Sequence, residues 1–460
     1  MTDQVRVPLS NAVRLAHALC QAVADEVGIR VLFIKGPIAT QQGLRDRSRV
    51  SGDVDVLCRP EDHDALVGAL CRRGWRQRPT STAAREFVTH SSTLLHPDWP
   101  CDIDVHVRFP GFFADPGDVF ETLWCDRELH SIAEVEVSSP SRLAQWLILL
   151  LHGLRSPELA RNATEVDTAR ISFRDELSGD ERADLLSLVD DTGAVEVTAD
   201  FFRSLGVPRQ RRATPTAEFA LWQLQAGPSR TESWMLLLTQ ARGWKRLHVL
   251  VRALIPKRAE LVADHPDANE GTRQLLRAYL RRLRRAATLA PRAAMNVLRA
   301  YRDVHASGPA AALRITPLQH TPSAAPAASG SVTVDVSLPG DAGPATQAPV
   351  APIEREHPRA RWAADRSAPS TEDGQAESPD AVFVLPLTPG GSQVPLALRD
   401  TAADLWSIVE EVGLDVDAVT EVAEQWWGIP FATLRADVSD FVGSLVAAST
   451  TPLNGAQPRL

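Results

Sequence analysis

Hydrophobic positions change their period along the chain. In the first stretch, Ala12, Leu15, Ala16, Leu19 and Val23 recur every three or four residues, which predicts a helix with one apolar face. Val31 to Ile34 is a short apolar run ending at Lys35-Gly36-Pro37, a strand feeding a turn. Pro37 suits the start of a helix, where its missing N–H has no partner to lose. Residues 51–57 alternate with period two and predict a strand. Pro60 opens a helix carrying Leu66 and Leu70, with Gly74 as its stop. Residues 102–107 alternate again and predict another strand.

From Ser141 to about Tyr301 the pattern is mainly helical. Leu143, Trp146, Leu147, Leu150 and Leu151 form a stripe too wide for a surface helix. Between Gly271 and Asp303 nine arginines face one acid, so this helix is either a solvated face or a cationic wall toward an anionic substrate. Residues 317–379 hold ten prolines among Ala, Ser, Gly and Thr, a composition that predicts a flexible tether. Within it, Ser331 to Leu338 alternates and is a candidate strand of the following domain. Residues 381–387 and 393–398, joined through Gly390 and Gly391, predict a hairpin. Three helices follow, carrying Leu405, Ile408 and Val409, then Val416, Val419 and Ala423, then Leu434, Val438, Phe441 and Leu445.

Composition narrows the class. The chain of 460 residues is 44% hydrophobic and 23% charged, which excludes full disorder. No apolar run is long enough for a membrane span, and the N-terminus lacks an apolar targeting segment. Five scattered cysteines without C-x-x-C spacing argue against a disulfide scaffold or a structural zinc site, and a reducing cytoplasm is the expected compartment. A net charge of −9 makes general nucleic-acid coating unexpected. Only Lys35, Lys245 and Lys257 are lysines among 49 basic residues, which singles them out.

The candidate chemistry lies in the first stretch. Strand alternation puts Asp53 and Asp55 on one face, and Asp102, Asp104 and His106 on one face of the next such strand. Adjacent like charges repel unless a cation sits between them, and hard carboxylate oxygens suit Mg²⁺ together with substrate phosphates. Lys35-Gly36 precedes a helix start, and Arg45, Arg47 and Arg49 fill the loop before the aspartates.

This order resembles the nucleotidyltransferase superfamily with the polymerase-beta-like fold. The nearest branch is the bacterial "uncharacterised nucleotidyltransferase" family, with L-K-G-x-A, R-x-x-x-D-I-D-L-L and D-L-H. The corresponding residues here are 34–37, 49–57 and 104–106, and the resemblance runs from about residue 10 to about residue 300. The stretch Arg49-x-Ser51-x-Asp53-x-Asp55 is also similar to toxin-type nucleotidyltransferases. The resemblance implies that Asp53, Asp55 and Asp104 hold two Mg²⁺ ions, with Asp102 as an alternative to Asp104 and His106 orienting or ligating. It implies nucleotide contacts from Lys35, Gly36, Arg49 and Ser51, and places His152 and Asp167 where the family often shows His and Asp. Gly36-Pro37 departs from the usual Gly-Ser turn and loses two phosphate donors. Residues 398–406 resemble a PqqD-like peptide-recognition domain, which implies a precursor-peptide leader bound along Val394, Leu396, Leu398, Leu434 and Phe441.

The expected architecture is an α/β (α+β) nucleotidyltransferase core at 1–135 with a mainly helical second half at 136–312. A disordered Pro/Ala-rich linker at 313–379 and a small winged-helix-like α+β domain at 380–450 complete it. The expected activity is Mg²⁺-dependent transfer of NMP from an NTP to a peptide hydroxyl. A catalytically inactive peptide chaperone and a toxin-like enzyme acting on tRNA are the alternatives.

Overall fold

The computed structural model describes residues 7–78, 90–209, 216–225, 231–255, 258, 261, 271–305, 362–366, 381–388, 391 and 393–450. The chain begins with α1 (Leu9–Glu26), β1 (Val31–Ile34), α2 (Gly36–Gln41) and β2 (Asp53–Cys58). After a single 3₁₀ turn at Pro60–Asp62 come α3 (His63–Arg72), β3 (Arg76–Gln77), β4 (Ser91–Leu95) and β5 (Asp102–His106). These strands form one mixed sheet in the order β1-β2-β5-β4-β3, in which only β2 and β5 run parallel.

Both faces of this sheet are covered, which is why β1 is apolar at every position. Phe33, Val54, Val56, Ile103 and Val105 pack with Leu15, Leu19 and Val23 of α1. Leu32, Ile34 and Leu57 pack instead with the helical half. Asp53, Asp55, Asp102, Asp104 and His106 alternate with the first set and therefore share the face toward the helices. They are the polar interruption of an otherwise apolar layer.

Next come α4 (Pro116–Cys125), β6 (Glu128–Ile132) and β7 (Val135–Ser139). The expected division after residue 135 cuts this two-stranded hairpin, whose tight turn puts Ala133 and Glu134 at positive φ without glycine. The helical half follows as expected: α5 (Arg142–Arg155), α6 (Ala160–Ile171), α7 (Gly179–Asp191), α8 (Val195–Ser204), α9 (Ala217–Gln225), α10 (Thr231–Gln240), α11 (Trp244–Leu254) and α12 (Thr272–His305). Leu147 to Leu151 are all buried in α5, matching the wide stripe. The arginines of α12 are exposed apart from half-buried Arg282, and this helix packs on α9 and α10.

The C-terminal unit comprises β8 (Trp362–Asp365), β9 (Val382–Pro386), β10 (Leu396–Leu398), α13 (Thr401–Val412), α14 (Val416–Trp427) and α15 (Phe431–Thr450). The expected hairpin is present, with Leu396 opposite Val384. The first strand is a correction. Residues 362–365 lie inside the span expected as linker, yet they pair with β9. Their stability comes from distant partners: Trp362 meets Trp406 edge-on, Ala363 joins the α1 core, and Asp365 takes hydrogen bonds from Arg14 Nε (2.9 Å) and Asn11 Nδ2 (3.1 Å). The strand candidate at 331–338 lies outside the described residues.

A second correction concerns the tether. The C-terminal sheet is not held only by a linker, because it is sandwiched between its own helices and α1. Trp362, Ala364, Val382, Val384 and Leu398 face α13–α15, while Ala363, Phe383 and Leu385 join the core of the first unit. Arg73 Nη1 donates to Thr388 O (2.7 Å), Trp99 Nε1 to Gln393 O (2.7 Å) and Ala364 N to Ala133 O (3.2 Å). Two-sided burial explains why residues 381–385 form a continuous apolar run rather than an alternating one.

Candidate active site

Asp53 lies directly opposite Asp102, and Asp55 opposite Asp104, on the parallel strands β2 and β5. Such pairing of like charges is unfavourable unless cations intervene, and Lys35 and Arg78 supply them here. Lys35 Nζ lies 2.8 Å from Asp55 Oδ2, and His106 Nε2 lies 2.9 Å from Asp55 Oδ1. Asp102 pairs with Arg78 at the exposed end. Asp55 is 3% exposed. Burial works to raise its carboxyl, but the Lys35 ammonium and the His106 contact outweigh this and hold it well below the usual range. Asp53, half-buried at the strand entry, is pushed up by burial and by the charge of Asp55.

The turn after β1 is built to deliver Lys35. Its φ is 61° and that of Gly36 is 53°, so two consecutive residues occupy the left-handed region. That conformation is costly for a residue with a Cβ and persists only where the surroundings impose it. Here the buried Gln145 side chain on α5 accepts the Lys35 N–H at 3.0 Å. His17 of α1 lies beneath Gly36, 3.6 Å from where a Cβ would sit. Its Nδ1 lies 2.7 Å from Val13 O, and burial lowers its pKa to about 4. Helix α2 has only six residues, so phosphate recognition at this turn would fall to side-chain cations rather than to a helix end.

Two of the loop arginines, Arg45 and Arg49, converge on a residue that sequence reasoning missed. Glu165 of α6 accepts from Arg45 and Arg49 (2.9 Å), and its Oε2 meets His152 Nδ1 at 2.6 Å. Burial works to raise Glu165, yet His152 and the two arginines bring it down to about 2. Asp167, expected with His152 as a residue lining the site, is exposed. The helical period explains the shift: Asn162, Glu165 and Ala169 are the buried positions of α6, and Asp167 points away from them. The weak apolar pattern of α6 gave no local signal for Glu165.

The remaining expected residues fall into place individually. Ser51 Oγ donates to Asp53 Oδ1 (3.1 Å) and so is engaged with the carboxylate itself. In the C-terminal unit Leu398 and Leu434 are core residues, whereas Leu396 and Phe441 pack partly buried at its margin and Val394 is half-buried before β10.

Asp55, Asp104 and His106 bring one ligand atom each within 4.8 Å of one another, a group able to hold a metal ion. The donor set fits a dication, and Asp104 Oδ1 is buried without a hydrogen-bond partner. An apolar groove of about 670 Å³ between α10, α11 and α12, lined by Met235, Leu247, Leu250 and Leu298, shares no residue with this cluster and lacks convergent acids or bases. No protein-family model matches the chain, and no curated protein matches it.

Proposed function

We propose that the chain is a divalent-cation-dependent nucleotidyltransferase that modifies a hydroxyl of a peptide held by its C-terminal unit. The observation that carries this reading is the convergence of Asp53, Asp55 and Asp104 with Lys35 on one sheet face. Asp53, Asp55 and Asp104 would hold Mg²⁺ or a similar cation, which when bound supplies positive charge for the triphosphate and acidifies the acceptor hydroxyl.

The chain's own residues account for the rest. Lys35 is half-buried at 12% exposure and offers a point charge to the phosphates, as Arg49 does from the loop. The acceptor oxygen bonds to the α-phosphorus while the α–β phosphoanhydride bond breaks and pyrophosphate leaves. The hydroxyl proton passes to solvent water as the new P–O bond forms. Ser51 fixes the rotamer of Asp53 by hydrogen bonding.

The peptide half of the reading rests on β10. Its outer edge has no strand partner among the described residues, so an extended segment can add there. The Trp99–Gln393 bond ties the residues entering β10 to the loop three residues before Asp102. One observation favours a binding-only protein: Lys35 Nζ and His106 Nε2 already occupy both oxygens of Asp55.

Incubation of the full chain with each NTP, Mg²⁺ or Mn²⁺ and candidate precursor peptides, read by intact mass, separates the two. A peptide gaining the mass of one NMP supports transfer. Peptide binding without any NTP consumption overturns it.

A further inference from the structure

Asp104 Oδ1 and His106 Nδ1 are buried and unpaired, while His106 itself is 5% exposed and aims Nε2 at Asp55. Its ring is held between His90, 6.0 Å away and stacked, and Phe109 at 6.2 Å. The imidazole is therefore fixed against the two carboxylates rather than swinging at the surface.

We infer that Asp55, Asp104 and His106 form a mixed nitrogen–oxygen site for a transition-type dication such as Mn²⁺, and that Lys35 holds the place of that cation on Asp55 until it binds. Mg²⁺ prefers oxygen ligands and retains water, whereas an imidazole nitrogen beside two carboxylates favours transition dications. The ammonium of Lys35 sits on Asp55 Oδ2, so cation and ammonium compete for the same charge. Metal entry then releases Lys35. Under the nucleotidyl-transfer reading, on which this last consequence alone rests, the freed ammonium becomes available to the triphosphate.

The test uses the full chain without nucleotide and Mn²⁺ as the probe. Electron spin-echo measurements on bound Mn²⁺ should show modulation from a coordinated histidine nitrogen, and His106→Asn should remove it. Titration should show His106→Asn weakening Mn²⁺ by about 10-fold or more while Mg²⁺ changes little, so that the preference between the two metals collapses. Lys35→Met should tighten Mn²⁺ binding by removing its competitor. Wild-type Mn²⁺ without nitrogen modulation, or an unchanged metal preference in a folded His106→Asn variant, would overturn the site. Unchanged Mn²⁺ affinity in Lys35→Met would overturn the placeholder role. Because no NTP is present, these outcomes are separate from success or failure of nucleotidyl transfer.

Discussion

Replacing Asp365 with Ala should loosen the C-terminal unit from the first one. Asp365 is 2% exposed and joins Arg14 at 2.9 Å and Asn11 at 3.1 Å, linking β8 to α1 across the interface. A charge-assisted hydrogen bond contributes roughly 1.5–3 kcal/mol, and removing an acceptor from a buried amide costs roughly 1–3 kcal/mol. Asn11 is fully buried, but Arg14 is 24% exposed and regains some hydration, which lowers the sum. The net cost is about 3 kcal/mol, a change on the order of 100-fold in the docking equilibrium. Hydrogen exchange on the full chain reads this directly, through the amides of Trp362–Asp365 and Val382–Leu385. Faster exchange there, with β2 and β5 amides unchanged, is the expected result. Exchange within about threefold of wild type at β8 would refute the argument that this ion pair fixes the unit in place.

Gly153 marks the closest crossing of α5 and α6, where a Cβ would fall 2.8 Å from Val166 Cγ2 and 3.0 Å from Asn162 O. Gly153→Ala should push α6 outward, destabilise by about 1–3 kcal/mol and, in a nucleotide assay, weaken NTP binding as Glu165 moves from Arg45 and Arg49; an unchanged melting temperature would contradict this. His17 titrates at about 4 in the fold against 6.5 for the free side chain, so the unfolded chain binds the extra proton first. Stability should therefore fall by about 3 kcal/mol as pH drops from 6.5 to 4 and flatten below that, a slope absent in His17→Leu during denaturant titrations at stepped pH.

Much of the site was legible because strand alternation fixes which residues share a face. Asp53, Asp55, Asp104 and His106 follow from period two alone, and the structure brings them together on parallel strands. Lys35 was singled out by its rarity and the turn after it. Glu165 was missed because α6 carries only a weak apolar pattern, so nothing local distinguished its inner face. Strand β8 was missed for a different reason. Trp362-Ala-Ala-Asp365 has no strand signal of its own and is stabilised by α1 and α13, some 350 and 40 residues away in sequence. The docking of the C-terminal sheet is likewise a long-range event, foreshadowed only by the unbroken apolar run of β9.

The most direct test of the central claim is pyrophosphate release from NTP by the full chain with an acceptor peptide, at stepped Mg²⁺ or Mn²⁺ concentration. Release should require the dication, and Asp55→Asn and Asp104→Asn should each lower it by at least about 100-fold while leaving the C-terminal sheet protected from exchange. Release that persists in chelator, or at the wild-type rate in both variants, would contradict a catalytic site on this sheet face.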